Sequence, residues 1–222
     1  VDALEDGFPE LLDGYEELTL YHSRPMRPDE EDGIDYHFRS RDEIEAVGDD
    51  HLVFDVRGDR MAVSLTHVEA TLAQGRALFE GHHTIALALA ARFAERAART
   101  VFRSPLEAAE IATIRDGGHP SVEDVVTRMM RHRLLRRLHF QQDVWGLPAL
   151  EAVERRARDA MEALRVAHRF DAVIPNPDGE DSDHWRLYRE PLGAARRATR
   201  ALAGLLRGVR PTITCSRSSP SA

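Results

Sequence analysis

The stretch from Ser23 to Ser40 reads S-R-P-M-R-P-D-E-E-D-G-I-D-Y-H-F-R-S. Arg24 and Arg27 lie three positions apart within it, and Tyr36 follows further along the same stretch. Two guanidinium groups beside a phenol hydroxyl can hold a phosphate dianion, because guanidinium pairs bidentately with phosphate oxygens. The same residues can equally be two surface charges on a turn and a half-buried core tyrosine. The residue types alone leave both interpretations open.

The order and spacing of these residues resemble the acceptor-nucleotide segment of the guanylate kinase family, T-R-x-P-R-x-G-E-x-x-G-x-D-Y-x-F-x-S. The matching positions are Arg24, Arg27, Glu30, Gly33, Asp35, Tyr36, Phe38 and Ser40. In that family the segment binds the phosphate of the acceptor. The resemblance therefore favours the phosphate-binding interpretation for the two arginines and Tyr36.

The resemblance also implies a fold for residues 1–207. That fold is α/β, a three-layer parallel-sheet P-loop kinase fold with an acceptor-binding insert at about 22–80 and a helical lid at about 115–140. The pattern along the chain agrees, since short strands that alternate with helices are typical of layered α/β folds. The predicted strands are 18–21, 36–38, 51–56, 61–64, 77–80, 100–103 and 171–174. The predicted helices are 1–7, 41–46, 66–74, 84–99, one opened by Pro105, 121–139, one that ends near 168, and 191–207.

The resemblance supplies further, weaker candidates outside the motif. Arg115, Arg128 and Arg131 match lid arginines, which in the family close over the transferred phosphoryl group and neutralise its charge. A solvated, arginine-rich helix face is the alternative for these three. Asn176 follows the last predicted strand and matches an asparagine at the donor base, where Trp185 could stack. Packing on the final helix is the alternative for Trp185.

The sequence departs from the family at the donor end. It contains no G-x-x-x-x-G-K-[ST] phosphate loop and no lysine at all. In such a loop, backbone amides cradle the donor phosphates and the lysine reaches the β- and γ-phosphates. Because Val1 to Glu5 align just past the loop, we expect natural sequence ahead of Val1, or a start assigned too late. A short frayed helix that opens an unrelated fold is the alternative.

The base end of the acceptor segment is also altered. The family's serine ahead of the arginines falls at Leu20, and Asp55 is the carboxylate nearest to the position of its guanine-reading glutamate. Ser64 lies just beyond the family's Y-Y-G-[ST] segment. The family's E-x-D pair becomes Glu80-Gly81-His82, which keeps the glutamate and loses the aspartate. Glu80, His82, Asp55 and Ser64 are therefore candidate acceptor contacts, and we expect no metal site.

Composition limits the compartment and the partners. A net charge of −8 argues against nucleic-acid binding through counterion release. No apolar run approaches the roughly 20 residues that span a bilayer, and no secretory signal opens the sequence, so we expect no membrane association. The single cysteine, Cys215, excludes an intrachain disulfide and favours a cytoplasmic location. The segment 208–222 is rich in Ser, Pro and Arg and is predicted to be disordered.

Together these features predict a phosphotransferase of the guanylate kinase type. It would move the γ-phosphoryl group of ATP, with Mg²⁺ bridging the donor phosphates, to GMP, a related nucleotide or another phosphorylated small molecule. Activity would depend on sequence upstream of Val1 that supplies the phosphate loop. The alternative is a non-catalytic guanylate-kinase-like module that uses the acceptor cleft to bind a ligand or a phosphorylated protein partner.

Overall fold

The computed structural model describes residues 2–27, 30–117, 121–141, 146–178, 182–186 and 191–209. The chain divides into two units, one of Leu12–Ala88 and the other of Val1–Leu11 with Leu89–Ala222. The tail predicted for 208–222 lies outside the described residues except for Gly208 and Val209.

Helices and strands alternate along the described residues, which confirms the predicted α/β class. The helices are α1 (Asp2–Gly7), α2 (Arg41–Glu45), α3 (Leu65–Gln74), α4 (His83–Arg92), α5 (Ala108–Asp116), α6 (Val122–Gln141), α7 (Leu147–Val166), α8 (Asp183–Arg186) and α9 (Gly193–Leu206). The strands are β1 (Tyr15–Glu17), β2 (Tyr21–His22), β3 (His37–Phe38), β4 (His51–Val56), β5 (Asp59–Ser64), β6 (Arg76–Leu78), β7 (Val101–Ser104) and β8 (Ala172–Pro175). Within the described part of the chain, none of the helices has the length and apolar character needed to cross a bilayer.

The Leu12–Ala88 unit contains a four-stranded sheet in the order β3-β2-β5-β4. β2 pairs parallel with β3 and antiparallel with β5, and β4 and β5 form an antiparallel hairpin. The hairpin turns at Arg57 and Gly58, whose φ values of 59° and 91° are both left-handed, as a two-residue type I′ turn requires. A separate parallel pair, β1 with β6, completes the strands of this unit.

The register of the four strands sorts their side chains onto two faces. His22 lies opposite both Phe38 and Met61, so these three side chains share one face. Tyr21 lies opposite Ala62 and points to the other face. Met61 and Ala62 are both buried, which means that both faces of β5 are covered.

The short helix α2 follows the motif and is fixed by a cap at Ser40. The Ser40 hydroxyl accepts the backbone N–H of Glu43 at 3.2 Å. The Glu43 carboxylate in turn accepts the backbone N–H of Ser40 at 2.7 Å, which completes a capping box. Ile44 is fully buried where α2 packs against β5. This packing anchors the end of the motif to the sheet.

The other unit contains the parallel pair β7 and β8 and the long helices. α6 and α7 pack along each other and bury Val126, Val153 and Ala157. α9 packs on β8 through a face of small side chains. The buried residues of that face are Ala194, Ala195, Ala198, Thr199 and Ala203.

The strand predicted over 18–21 has the wrong bounds, since only Tyr21 lies in a strand and residues 18–20 join two strands of different sheets. β1 ends at Glu17, and β2 begins at Tyr21. The Leu18 N–H still donates to the Leu78 carbonyl at 2.8 Å, so this residue continues the pairing of β1 with β6. Tyr21 instead pairs with β3 and β5. The chain changes sheets between these residues, which an unbroken apolar run does not show.

The helix predicted over 84–99 ends earlier than expected. α4 stops at Arg92, and a 3-10 turn, Ala94–Arg96, follows it. Ala97 then adopts a left-handed backbone, with φ of 53°. A left-handed residue breaks the helical hydrogen-bond ladder, and alanine carries no sequence signal for it.

The helix predicted to open at Pro105 begins at Ala108 instead. The Ser104 hydroxyl accepts the N–H of Leu106 at 3.1 Å and donates to the carbonyl of the same residue at 2.6 Å. These bonds hold a turn just after β7, so the helix starts one turn later.

Candidate functional site

Arg24 lies in the loop directly after β2, and its guanidinium group covers two aromatic rings. The guanidinium carbon lies 5.3 Å from the centre of the Tyr36 ring and 5.2 Å from that of Phe38. The two rings contact each other edge to face at 5.8 Å. Such cation–π contacts fix the plane of the guanidinium group. The structure therefore brings Arg24 and Tyr36 together, as the motif predicts.

Glu30 joins both motif arginines. Its carboxylate accepts two hydrogen bonds from the Arg24 guanidinium group, at 2.5 and 2.6 Å. It also accepts the backbone N–H of Arg27 at 2.9 Å and lies 3.5 Å from the Arg27 guanidinium group. Side-chain exposure is 16% for Arg24, 10% for Glu30 and 49% for Arg27. Arg24 is thus enclosed and paired, whereas Arg27 is open to solvent.

These contacts shift the pKa of both partners in the direction of the charged pair. The hydrogen bonds from Arg24 lower the pKa of Glu30 to about 2, aided by the backbone N–H of Arg27. Burial alone would lower the pKa of Arg24, but the bond to Glu30 and its charge raise the pKa above the ordinary value. The pair therefore stays ionised throughout the neutral range.

His22 supports the same loop from beneath. Its Nδ1 accepts the backbone N–H of Arg24 at 3.1 Å, and its ring meets the Tyr36 ring edge to face at 5.1 Å. Burial and, after it, the positive charge of Arg24 lower the pKa of His22 to about 4. The imidazole is therefore neutral at neutral pH and acts as an acceptor for the loop backbone.

Sequence analysis gave neither His22 nor Glu30 a role in the site. Glu30 was counted only as a matching position of the motif, although a carboxylate close in sequence to two arginines is itself a signal for an ion pair. His22 has a weaker signal, its position one residue ahead of Ser23. Only the strand pairing shows that its ring lies on the same face as Phe38.

An open cleft of about 590 Å³ lies beside Arg24. Its lining residues are Ser23, Arg24, Pro25, Met26, Phe38, Arg39, Ser40 and Glu43. Arg39 is also paired with an acid, since its guanidinium group lies 3.2 Å from the Asp32 carboxylate. The cleft thus combines two arginines, each matched by a carboxylate, with an apolar wall.

The candidate base contacts Asp55 and Ser64 do not join this cluster. By strand register they lie on the sheet face of Tyr21, opposite to the face of His22. Asp55 accepts the N–H of Gly58 at 3.1 Å within the hairpin turn. The Ser64 hydroxyl accepts the N–H of His67 at 3.2 Å as the cap of α3. Each therefore has a local structural partner.

The candidates Glu80 and His82 lie just before α4. Glu80 is exposed. The Nδ1 atom of His82 accepts the backbone N–H of Thr84 at 3.4 Å. The rings of His82 and His83 lie 4.1 Å apart, because His83 is the first residue of a helix.

The predicted lid arginines lie on or near the long helices. Arg131 on α6 forms two hydrogen bonds with Glu154 on α7, at 2.5 and 2.9 Å. This bond lowers the pKa of Glu154 and raises that of Arg131. Arg128 is exposed and forms no ion pair with the part of the chain that the structure describes. The side chain of Arg115 lies outside the described residues.

Asn176 follows β8 and is only 3% exposed. Its backbone N–H donates to the Ser104 carbonyl at 2.7 Å. Its side-chain Oδ1 has no hydrogen-bond partner among the described residues. A buried carbonyl oxygen without a donor costs about 1–3 kcal/mol. Trp185 is half-buried in α8 nearby in sequence.

The comparisons with known proteins bear on the fold. No protein-family model matches the chain. Among solved structures, the guanylate kinase from Anaplasma phagocytophilum is similar, with a TM-score of 0.55 and 16% sequence identity. The similarity covers 90% of this chain and 78% of that one. At such low identity the likeness shows the fold alone, and the chain therefore has a guanylate-kinase-like α/β fold.

Proposed function

We propose that this chain is a guanylate-kinase-like phosphotransferase whose donor phosphate loop is not among residues 1–222. In this proposal Arg24, Arg27 and Tyr36 hold the phosphate of the acceptor, which is GMP, a related nucleotide or another phosphorylated small molecule. The observation that carries the proposal is the Arg24 guanidinium group held over the Tyr36 ring at 5.3 Å, beside an open cleft of about 590 Å³.

The chemistry of the three side chains supports a phosphate ligand. Each guanidinium group can offer two parallel N–H donors to two phosphate oxygens. Arg27 is about half exposed and can turn toward a ligand at little cost. The Tyr36 hydroxyl is a neutral donor on the ring that the Arg24 guanidinium group covers. Two fixed positive charges and a phenol suit a dianionic monoester better than a neutral ligand.

For the donor side we propose ATP with Mg²⁺. The Oδ1 of Asn176, which has no partner among the residues that the structure describes, is an acceptor that suits the exocyclic amine of adenine. Arg115, Arg128 and Arg131 would neutralise charge on the moving phosphoryl group, for which Arg131 must leave Glu154. The sequence holds no phosphate loop and no lysine, so the phosphates of ATP have no matching residues in it. Transfer therefore depends on a loop that residues 1–222 do not contain.

A second function, a non-catalytic module that binds a phosphorylated ligand or protein, is favoured by that same missing loop. Two observations separate the alternatives. A G-x-x-x-x-G-K-[ST] loop in the reading frame upstream of Val1 supports the kinase, and its absence there supports the module. Release of ADP from ATP by the complete protein, on addition of a nucleoside monophosphate, supports the kinase directly.

Calorimetry of a double variant tests the phosphate site that both functions share. Replacing Arg24 and Arg27 by alanine removes two charge-assisted contacts, so we expect affinity for a nucleoside monophosphate to fall at least about a hundredfold. Arg92→Ala, which removes an exposed arginine in the other unit, is the matched control and should bind as the wild type does. An unchanged affinity in the double variant would refute the site.

A further inference from the structure

The guanidinium group of Arg24, which we propose binds the ligand phosphate, is already paired with the carboxylate of Glu30. Both hydrogen bonds between Arg24 and Glu30 are short, at 2.5 and 2.6 Å, and both side chains are largely enclosed. A carboxylate in this arrangement occupies the same N–H fork that a phosphate would use. A ligand that uses this Nη1–Nη2 fork of Arg24 must therefore displace Glu30 from it.

We propose that Glu30 determines the specificity of this site as an internal competitor: it excludes singly charged carboxylate ligands from Arg24 and yields only to a dianionic phosphate ester. This inference rests on the proposed phosphate-binding role of Arg24 and Arg27, and it names the charge of the ligand that the site selects.

The competition follows from covalent linkage. Glu30 is on the same loop as the arginines and is held additionally by the backbone N–H of Arg27 at 2.9 Å, so its effective concentration at Arg24 is high. A free carboxylate would exchange one singly charged anion for another and gain nothing in return. A phosphate dianion brings a second charge, which the partly exposed Arg27 is positioned to meet.

The groups around the pair make the competitor insensitive to pH in the neutral range. Glu30 faces Arg24 and Arg27, with His22 close enough to respond to its charge. Asp59 and Tyr36 act on Arg24 from the sheet side. The low pKa values of Glu30, about 2, and His22, about 4, leave a charged carboxylate and a neutral imidazole at pH 7. Displacement by a ligand, rather than protonation, is therefore what frees Arg24.

The test compares two variants and two probe ligands by calorimetry at pH 7.5. Glu30→Gln removes the competing charge and keeps the shape of the side chain. Glu31→Gln makes the same charge change next to it, at an exposed side chain, and is the control. The probes are a nucleoside 5′-monophosphate and the 5′-carboxylate of the same nucleoside, which differ in charge at one position.

We expect the wild type and Glu31→Gln to bind the monophosphate and to show no heat with the carboxylate. Glu30→Gln should bind the monophosphate at least about tenfold more tightly and should also bind the carboxylate measurably, because the fork of Arg24 is then free. Unchanged or weaker binding by Glu30→Gln would overturn the inference, as would equal binding of both probes by the wild type.

The failure of this inference is distinguishable from failure of the proposed function. If the Arg24 and Arg27 double variant loses monophosphate binding while Glu30→Gln leaves it unchanged, only the competitor role of Glu30 is refuted. If the double variant binds as the wild type does, the phosphate site itself is refuted, and the role of Glu30 with it.

Discussion

His22 shows how a single buried side chain can fix a loop that carries charge. Its Nδ1 holds the backbone of Arg24, and its ring supports the ring of Tyr36. A protonated imidazole could accept no hydrogen bond at Nδ1 and would place a second positive charge beside the Arg24 guanidinium group. The site therefore requires the neutral ring, and burial secures it by lowering the pKa to about 4.

This requirement predicts a dependence of stability on pH. As the pH falls below the ordinary histidine pKa of 6.5, His22 binds a proton in the unfolded chain. In the folded chain His22 stays neutral until about pH 4. The free energy of unfolding should therefore fall between pH 7 and pH 5, by up to about 2 kcal/mol from this residue. Urea titrations at the two pH values measure the loss. His22→Gln should abolish it, and His168→Gln, at an exposed histidine, should retain it. Equal losses in His22→Gln and the wild type would contradict the assignment.

Single residues also show which contacts of the site the motif could predict and which it could not. Arg24 and Tyr36 meet because they flank one loop, and short-range spacing is enough to show it. Asp55 and Ser64 match their positions only approximately, and the face of a strand on which a residue lies depends on register. The role of Glu30 depends on which of the nearby carboxylates pairs with the arginines, and only the three-dimensional structure shows that it is Glu30.

At the scale of elements, the β4–β5 hairpin offers a test of its turn. Gly58 has φ of 91°, and a Cβ built on it would meet nothing within 4 Å. Gly58→Ala should therefore destabilise through backbone strain alone, by about 1–2 kcal/mol. Gly7→Ala is the matched control, since Gly7 is equally uncrowded but lies in α1 at an ordinary φ. We expect it to stabilise slightly, because alanine favours a helix. Thermal unfolding of both variants measures the difference in their stability. If both variants lost stability equally, the left-handed backbone of Gly58 would not be the cause.

Elements whose signals are local were predicted well. The helix predicted over 41–46 and the strands predicted over 51–56 and 61–64 are present, because the capping box of Ser40 and Glu43 and the turn at Arg57 and Gly58 involve neighbours within a few residues. The C-terminal end of α4 and the start of α5 were missed because a 3-10 turn, Ala94–Arg96, and a serine-held turn after β7 take the place of the predicted helix. The change of sheet between β1 and β2 was missed because both partners lie far away in sequence.

At the scale of the whole molecule, the unit boundaries assign the candidate sites to separate parts of the chain. The phosphate-binding candidates and Glu30 all belong to Leu12–Ala88. Asn176 and the candidate lid arginines belong to the unit that includes Leu89–Ala222. A nucleoside monophosphate that binds at Arg24, Arg27 and Tyr36 should therefore stabilise the Leu12–Ala88 unit, and this can be measured in the complete protein.

Hydrogen exchange with a saturating nucleoside monophosphate answers that question. A ligand at one hundred times its Kd stabilises the state that binds it by about 2.7 kcal/mol, which slows exchange through unfolding about a hundredfold. We expect this slowing for buried amides of β5 in the Leu12–Ala88 unit, next to the strand that leads into Arg24. The same nucleoside without its phosphate should leave these rates unchanged, because the proposed contacts all go to the phosphate. Slowing confined to α6 and α7 would place the ligand in the other unit and would contradict the assignment of Arg24, Arg27 and Tyr36.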